Sequence, residues 1–191
     1  MGPKVVDHDA RRAEIIAQVI PLFYSRGYEA VGIRDIAEAI GVSKSLLYHY
    51  FRTKEELFLA VCHSLMDADF SLLAKLVEGG TTAERVRTLF SFCAAEEATF
   101  RQQMVLLLEY ARVAPKEERI TLMREATEAY IAAFQSALGL ERQQATQLYN
   151  AINGLFINRA LTEGTPDIGE AAHFWAQILS AEDSSKGRSR P

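Results

Sequence analysis

A short stretch from Ile33 to Lys54 limits what this chain can fold into more than any other feature. Its first part repeats apolar residues at steps of three and four positions, which is the spacing of one face of an α-helix. The four residues are Ile33, Ile36, Ala37 and Ile40. Gly41 follows them and suits the left-handed conformation in which many helices end. The sequence therefore predicts a short helix that stops at this glycine.

A second short helix begins almost at once. Ser43 is placed to cap its N-terminus, and Leu47 and Tyr50 give it an inward-facing side. Two helices joined by about three residues around a glycine form the helix-turn-helix signature. An ordinary corner between two helices has the same local pattern, so the turn alone leaves both interpretations open.

The residues after the turn favour a helix-turn-helix that binds DNA. Aromatic and cationic residues stand where the second helix ends, and Thr53 and Glu56 form a capping box that opens a further helix. Together these motifs resemble the TetR/AcrR family of bacterial transcriptional regulators over about residues 10–60. The matching residues are Phe23, Gly27-Tyr28, Ile36-Ala37, Gly41-Val42-Ser43, Leu47-Tyr48, Phe51, Lys54-Glu55 and Leu57.

Three positions depart from the pattern of that family. Gly32 replaces the usual threonine or serine before the first helix of the motif, which weakens a cap. Pro21 lies inside the preceding helix, where it predicts a kink or a local adjustment. Leu46 occupies an outward position on the second helix that is often small or polar in the family.

Composition and charge set wider bounds. The chain has 191 residues, of which 49% are hydrophobic, and this is enough for a sizeable core. No uninterrupted apolar run of about eighteen residues predicts a membrane span, and no secretory signal is visible, so we expect a cytoplasmic protein without a membrane partner. The net charge is −4, but residues 1–54 hold eight lysines and arginines against six aspartates and glutamates. That mildly positive segment suits local contact with DNA phosphates.

Every segment of the chain has the pattern of a helix, which predicts an all-α protein of about nine helices. We expect a helix-turn-helix DNA-binding domain in residues 1–54 and a ligand-binding and dimerisation domain in residues 55–183. Residues 184–191 are charged and rich in glycine and serine, so we expect a disordered tail. The segment Phe100–Val113 is apolar almost all round, and we expect it to be buried.

In a helix-turn-helix the second helix enters the major groove, and flanking groups hold the phosphates. Lys44 and Ser45 are placed for base edges, with lysine suited to guanine, and Leu46 is suited to the methyl group of thymine. Tyr48, His49 and Lys54 are expected to anchor phosphates, and the resemblance implies that Arg34 reaches a base or a phosphate. The candidate DNA-binding residues are Arg34, Ser43, Lys44, Ser45, Leu46, Tyr48, His49 and Lys54. Simple exposure to solvent is the alternative for each of them.

The resemblance also implies a small-molecule pocket among the middle helices, which are rich in aromatic and sulfur-containing residues. The candidate pocket residues are His63, Phe90, Cys93, Met104, Leu108, Glu109, Tyr130 and Phe134. Ordinary core packing is the alternative for most of them. Glu109 interrupts an apolar run, and it can pair with Arg112 or face the pocket and hold a cationic or hydrogen-bonding ligand. We expect a largely apolar or aromatic effector.

The last two helices carry apolar stripes. Gly154 lies in mid-helix, which costs about 1 kcal/mol relative to alanine unless a neighbour packs close to it. Family members dimerise through their last two helices, so the resemblance implies a homodimer. The candidate interface residues are Leu148, Ile152, Gly154, Leu155, Phe174 and Ile178. The alternative is that these stripes complete the core of the monomer.

The sequence contains no motif that predicts catalysis. Its four histidines lack the spacing of metal ligands, and no nucleophile motif or phosphate-binding loop is present. Cys62 and Cys93 lie in apolar helices, which favours buried, reduced thiols. We therefore expect no catalytic residue, metal or cofactor. The sequence favours a ligand-responsive homodimeric repressor that binds palindromic double-stranded operator DNA, with a helical protein-binding adaptor as the alternative.

Overall fold

The computed structural model describes residues 7–76 and 78–187, with side chains described up to residue 180. Within those ranges all regular secondary structure is helical, which confirms the predicted all-α class. The helices are α1 (His8–Arg26), α2 (Ile33–Ala39), α3 (Lys44–Tyr50), α4 (Lys54–Leu76), α5 (Thr82–Ala95), α6 (Glu97–Val113), α7 (Lys116–Leu138), α8 (Arg142–Leu161) and α9 (Ile168–Gly187).

The helix ends follow the capping signals in the sequence. The Asp7 carboxylate caps α1 by accepting the Asp9 and Ala10 amides at 3.1 Å, and the helix runs through Pro21 to end at Gly27. The Glu84 carboxylate accepts the Thr81 amide at 2.7 Å and so closes the predicted capping box of α5. These local bonds satisfy amides that have no partner within their helix.

The chain forms two compact units. The first contains the residues up to Asp67 together with Val105–Lys116, and the second contains Ala68–Met104 and the residues from Glu117 onward. Helices α4 and α6 each contribute residues to both units. The sequence predicts a domain boundary after residue 54, and that boundary stays a prediction.

Aromatic rings form the centre of the first unit. Phe58 of α4 stacks on Tyr110 of α6 with ring centres 4.5 Å apart, and Tyr28 meets the edges of both rings. Phe23 of α1 meets Phe58 at 5.6 Å. All four side chains are buried, so the end of α6 is part of the core beneath the helix-turn-helix.

The α4 helix, with 23 residues, has the length and apolar composition of a membrane span. Its N-terminal half is instead a core helix of the first unit. Leu57, Phe58 and Val61 have no exposed surface. Their burial within the protein accounts for the apolar composition of that half.

The core of the second unit lies between helices α5, α7, α8 and α9. Its buried residues include Val86, Leu89, Phe90, Cys93, Ile131, Phe134, Leu138, Leu148, Leu155, Phe156 and Leu179. An Arg159 side chain ties the turn after α8 to α6, because its Nη2 lies 2.7 Å from the Glu97 carboxylate and its Nη1 donates to the carbonyls of Gly164 and Pro166. Exposure of the Arg159 side chain is only 12%.

Two expectations about this part of the chain are wrong. Helix α6 begins at Glu97 and is not buried all round, since Val105 is 48% exposed and Leu108 is 55% exposed. Helix α9 continues to Gly187, so residues 184–187 are helical and not a disordered tail. The rest of the predicted tail, residues 188–191, lies outside the described residues.

Candidate nucleic-acid interface

The turn between α2 and α3 has the geometry that the sequence predicts. Gly41 adopts a φ of 68°, and the Val42 amide donates to the Ala37 carbonyl at 2.9 Å. The Ser43 hydroxyl then accepts the Leu46 amide at 3.1 Å and caps α3. A side chain at Gly41 would meet no atom, so its positive φ is what favours glycine there.

Helix α3 is divided into a buried face and an exposed face. Leu47 has no exposed surface and Tyr50 is 8% exposed, so both hold the helix to its unit. Lys44, Ser45 and Tyr48 lie on the exposed face. Another candidate on this helix, Leu46, is half-buried, and its predicted contact with a thymine methyl stays a prediction.

The exposed face of α3 carries a cation beside an aromatic ring. The Lys44 ammonium lies 5.5 Å from the centre of the Tyr48 ring, one helical turn later. The Ser45 hydroxyl lies 3.0 Å from that of Ser43. A lysine, a hydroxyl and a phenol are therefore presented together at the start of the helix, where a recognition helix contacts base edges.

His49 has a partner that sequence reasoning did not find. Its ring centre lies 5.6 Å from that of His8 at the start of α1, and His8 lies 4.6 Å from the Tyr50 ring. Because 41 positions separate the two histidines in the sequence, no local spacing could have indicated the contact. The two exposed imidazoles extend the polar surface from α3 to α1.

Lys54 has a structural contact in addition to its predicted role at phosphates. Its ammonium donates to the Tyr28 carbonyl at 3.0 Å and lies 4.1 Å from the centre of the Tyr28 ring. The residue is half-buried and ties the start of α4 to the turn after α1. Arg34, in contrast, is exposed in the first turn of α2.

Before α2, the backbone lacks the usual side-chain cap at Gly32. The Asp35 carboxylate compensates in part by accepting the Gly32 amide at 2.8 Å. The opposite half of the capping box is absent because glycine has no side chain to accept an amide. This agrees with the weaker cap that the sequence indicates.

Glu109 does not pair with Arg112. Its carboxylate accepts the Tyr28 amide at 2.8 Å, and Arg112 pairs with Glu29 instead. Gly27 has a φ of 79°, and a Cβ there would collide with the Glu109 carboxylate. The predicted pairing with Arg112 was therefore wrong, because the partner of Glu109 lies 81 positions away in the sequence. The predicted contact of Glu109 with a ligand stays a prediction.

The other candidate pocket residues separate into two groups. His63 and Leu108 are exposed and belong to the first unit, and their place in a pocket stays a prediction. Phe90, Cys93 and Phe134 are buried in the core of the second unit. Met104 and Tyr130 are half-buried in that second unit.

The two cysteines are free, and burial raises the pKa of each thiol to about 12. Both are therefore protonated at neutral pH. A thiol in that state is a poor nucleophile and metal ligand. No group of three or more His, Cys, Asp or Glu side chains is placed to hold a metal ion within the part of the chain that the structure describes.

The helix-turn-helix coincides with a match to a known family. The family model described as bacterial regulatory proteins, tetR family, matches residues 15–61, which contain most of α1, all of α2 and α3, and the start of α4. Residues 15–61 therefore carry the helix-turn-helix of that family. The chain is a DNA-binding transcriptional regulator and not an enzyme, so the alternative of an adaptor without DNA binding is set aside.

Similarity to family members extends beyond the helix-turn-helix. The HTH-type transcriptional regulator BetI of Brucella canis is 29% identical over 88% of this chain and 89% of its own length. The structure of E. coli NemR in its reduced form has a TM-score of 0.72 with 19% identity, covering 87% of this chain and 95% of that one. FadR of Bacillus subtilis, solved in complex with stearoyl-CoA, has a TM-score of 0.61 with 16% identity, covering 87% of this chain and 96% of that one.

The candidate interface residues of this chain do not all reach the surface. Leu148 and Leu155 are buried in the core of the second unit, so within the single chain they complete the core. Ile152 packs against that core, and Ile178 is half-buried. Phe174 of α9 is 56% exposed.

Two apolar residues of α8 are exposed, and sequence reasoning missed the first of them. Ile157 is 37% exposed and Leu161 is 78% exposed. They follow Gly154 at three and seven positions, which places all three residues on one face of the helix. A Cβ at Gly154 would meet no atom of the described residues within 4 Å, so none of them packs closely against this glycine.

The second unit also contains a carboxyl group that the sequence did not single out. Asp69 of α4 accepts a hydrogen bond from the Tyr130 hydroxyl of α7 at 2.6 Å. Burial raises the pKa of Asp69, although the bond from Tyr130 acts in the opposite direction. Three further aromatic rings are connected to this pair. The Tyr130 ring contacts those of Phe70 and Tyr149, and the Tyr149 ring contacts that of Phe134.

Proposed function

We propose that this regulator is a homodimeric repressor that binds a palindromic operator and leaves it when a small effector binds the second unit. The observation that supports this most directly is the exposed face of α3, where Lys44, Ser45 and Tyr48 stand on a helix held by buried residues. A rigid helix with polar side chains on its outer face is what reading of the major groove requires. We also propose the cytoplasm as its location, because its target is chromosomal DNA.

Within the operator complex, we assign base reading to Lys44 and phosphate contact to Tyr48. Lysine donates to guanine O6 and N7, and its position at the first turn of α3 suits a base edge. Tyr48 and His49 suit the flanking phosphates. After donating to the Tyr28 carbonyl, the Lys54 ammonium has two further hydrogens. It can therefore hold the turn after α1 and donate to a phosphate at the same time.

DNA binding is tested with an operator selected from random duplexes on the immobilised full-length protein. Lys44→Ala is expected to weaken binding and to relax the preference at one base pair, by about 1–3 kcal/mol. Tyr48→Phe is expected to weaken binding to all sequences alike, because phosphate contacts carry little sequence information. Arg124→Ala serves as the matched control, since Arg124 is exposed on α7 in the second unit. An unchanged preference profile in Lys44→Ala contradicts its role in base reading.

The proposed dimer interface uses the exposed stripe of α8, formed by Gly154, Ile157 and Leu161, together with Phe174 and Ile178 of α9. Exposed apolar side chains on two adjacent helices suit an isologous contact between two copies. Two helices from each copy would form a four-helix bundle. A dimer presents two α3 helices, which suits half-sites about 34–36 Å apart or a multiple of that distance.

Release from DNA is proposed to begin with effector binding in the second unit. Helix α4 runs without a break from the helix-turn-helix unit into the second unit. In the proposed dimer, a shift of its C-terminal half can therefore alter the distance between the two helix-turn-helix motifs. A largely apolar or aromatic effector suits the aromatic residues of α5 and α7. That FadR was solved with stearoyl-CoA supports an effector with a large apolar part.

Coupling between effector and operator is reciprocal by thermodynamic linkage, and factors of about 5–150 are typical. Calorimetry of effector binding with and without operator measures this factor directly. Phe134→Ala is expected to lower effector affinity while sparing operator affinity, provided a melting curve shows that the variant folds. An effector whose affinity is the same with and without operator contradicts the release mechanism. If the effector instead increases operator affinity, the protein binds DNA with its effector, and the proposed release is wrong.

A further inference from the structure

We propose that His8 of α1 joins His49 of α3 in a proton-dependent contact with DNA phosphates, so that operator affinity rises as the pH falls. The inference rests on the proposed function in taking α3 as the helix that enters the major groove. It adds His8 to the residues that contact DNA. It also gives the regulator a response to pH that belongs to the DNA-binding surface and requires no effector.

The two imidazoles lie side by side at the surface. Their ring centres are 5.6 Å apart, and their planes meet edge to face at 71°. Both residues are exposed. The His8 ring also lies 4.6 Å from the ring of Tyr50, which is only 8% exposed and belongs to the inner face of α3. This contact with a buried ring holds the start of α1 beside the end of α3.

The position of His8 suits a contact with the DNA backbone. His49 directly follows Tyr48, the residue that the proposed function places at a flanking phosphate. Groups that flank a recognition helix hold the phosphates on the sides of the groove. Double-stranded DNA carries one negative charge per about 1.7 Å of its axis. A second imidazole beside His49 therefore lies next to further phosphates of the same backbone.

No carboxylate of α1 holds either imidazole. The charged groups in the first turns of this helix are Asp7, Asp9, Arg11 and Arg12. Asp7 accepts the amides at the helix start, Arg11 pairs with Glu14, and the Arg12 guanidinium lies over the Phe51 ring. Among the described side chains, no carboxylate oxygen lies within 4.0 Å of a ring nitrogen of either histidine.

The titratable and charged groups of α3 and of the turn after it are phenols and cations. They are Lys44, Tyr48, Tyr50 and Arg52. Lys44 lies beside the Tyr48 ring, and Arg52 is exposed. The surface around the two imidazoles on this side therefore supplies positive charge and hydroxyl groups. An additional positive charge on the imidazoles needs an anion from outside the protein, and a DNA phosphate is such an anion.

Protonation of histidine supplies the charge that a phosphate contact uses. A histidine ordinarily gains its charge between about pH 8 and pH 5, and the charged ring donates from both nitrogens. Two neighbouring imidazolium ions repel each other in the free protein. Phosphates offset that repulsion and accept charge-assisted hydrogen bonds. The complex therefore holds more protons than the separate protein and DNA, so affinity is highest at acidic pH and is lost as the pH rises.

A metal ion suits this pair less well than a proton does. Zinc sites normally have three or four protein ligands. Within the part of the chain that the structure describes, no group of three or more His, Cys, Asp or Glu side chains is placed to hold a metal ion. EDTA in every sample removes a contribution from metal ions to the measurement.

The test measures the affinity of the untagged full-length protein for the selected operator duplex by fluorescence anisotropy. We expect the affinity of the wild-type protein to fall about tenfold or more from about pH 6 to about pH 8, because one linked proton changes affinity by up to about tenfold per pH unit. The dependence of log affinity on log salt should be steeper at the acidic end, by up to about 0.9 for each imidazolium that contacts a phosphate.

Variants assign the effect to the two residues. His8→Gln and His49→Gln should each flatten the pH profile in part, and the double variant should remove most of it. His8→Arg carries a fixed charge, so it should raise affinity at about pH 8 and reduce the pH dependence. A variant that fails to fold cannot produce this gain. His173→Gln is the matched control, because His173 is exposed on α9 in the second unit.

Calorimetry in buffers of different ionisation enthalpy counts the protons that the complex takes up. The wild-type protein should take up more protons on binding the operator than the double variant does. Equal uptake and equal pH profiles in the two proteins overturn the proposal. A profile that depends on His49 alone also overturns it, because His8 then makes no contact with DNA.

The outcome separates this inference from the proposed function. If Lys44→Ala weakens operator binding while the wild-type protein and the double variant have equal pH profiles, the proton-dependent contact fails and the role of α3 stands. If neither Lys44→Ala nor Tyr48→Phe affects DNA binding, α3 is not the DNA-reading helix, and both proposals fail.

Discussion

Replacement of Glu109 by alanine should loosen the turn after α1, although the two segments are far apart in the sequence. The Glu109 carboxylate accepts the Tyr28 amide at 2.8 Å, and the pair is partly buried. A hydrogen bond to a charged group contributes about 1.5–3 kcal/mol, and its loss leaves the amide without that acceptor. Since 1.4 kcal/mol corresponds to a factor of ten, the amide should exchange with solvent about 10- to 150-fold faster.

Amide hydrogen exchange at Tyr28, followed by NMR in the full-length protein, measures this effect at the bond itself. Glu109→Gln keeps a neutral acceptor of similar shape, so it should accelerate exchange by less than the alanine variant does. Arg112→Ala is the matched control, because Arg112 pairs with Glu29 at the surface and such pairs contribute about 0–1 kcal/mol.

Two results would refute the reasoning about Glu109. One is an unchanged exchange rate at Tyr28 in Glu109→Ala. The other is an acceleration in Arg112→Ala as large as that in Glu109→Ala, which is the outcome expected if the glutamate paired with the arginine one helical turn away. A melting curve of each variant shows whether any change is local or reflects unfolding of the whole unit.

Three further predictions concern assembly, acid stability and capping. Gly154→Ala should stabilise α8 within the single chain by about 1 kcal/mol, because a Cβ there meets open space. The same substitution should weaken the proposed dimer, as measured by sedimentation. An unchanged dimer affinity would mean that no helix of the partner packs closely at this glycine. The hydrogen bond from Arg159 lowers the pKa of Glu97 below 4.5 in the folded protein, so the stability it contributes is present above that value and is lost as the pH falls through the folded pKa. Urea unfolding of Glu97→Gln should therefore lose less stability between about pH 5 and pH 3 than the wild type, and equal losses would contradict this. Ser43→Ala should lower the free energy of unfolding by about 1 kcal/mol, because the α3 cap is lost. Ser43→Asp should keep the cap and therefore the stability, as measured by thermal unfolding. Equal melting temperatures of the two variants would show that the cap does not contribute.

Several features of the helix-turn-helix could be predicted because they depend on residues that are close together in the sequence. A cap is made within three or four residues, so Ser43 and its position before an apolar repeat were enough to place the start of α3. The positive φ at Gly41 follows from the need to end one helix and begin another within three residues. The family resemblance rested on these same local motifs, and the match over residues 15–61 agrees with it.

Other features depend on which helix faces meet, and periodicity does not carry that information. An apolar stripe predicts that one side of a helix is covered, but it does not say by what. Leu148 and Leu155 were therefore assigned to a dimer contact, although the structure buries them in the monomer, while the exposed residue Ile157 was left out.

Polar partners across long sequence distances were decided only by the tertiary structure. Glu109 bonds the Tyr28 amide, Asp69 accepts from Tyr130, and each pair joins segments more than sixty positions apart. Sequence spacing could offer Glu109 only the nearby Arg112, because one helical turn is the longest range that a local pattern describes. The sequence by itself thus determined the helices, their caps and the DNA-reading motif, since those are set by local backbone hydrogen bonds. The packing of helices decided which charges became buried and which partners they met, because burial depends on side chains that distant segments bring together.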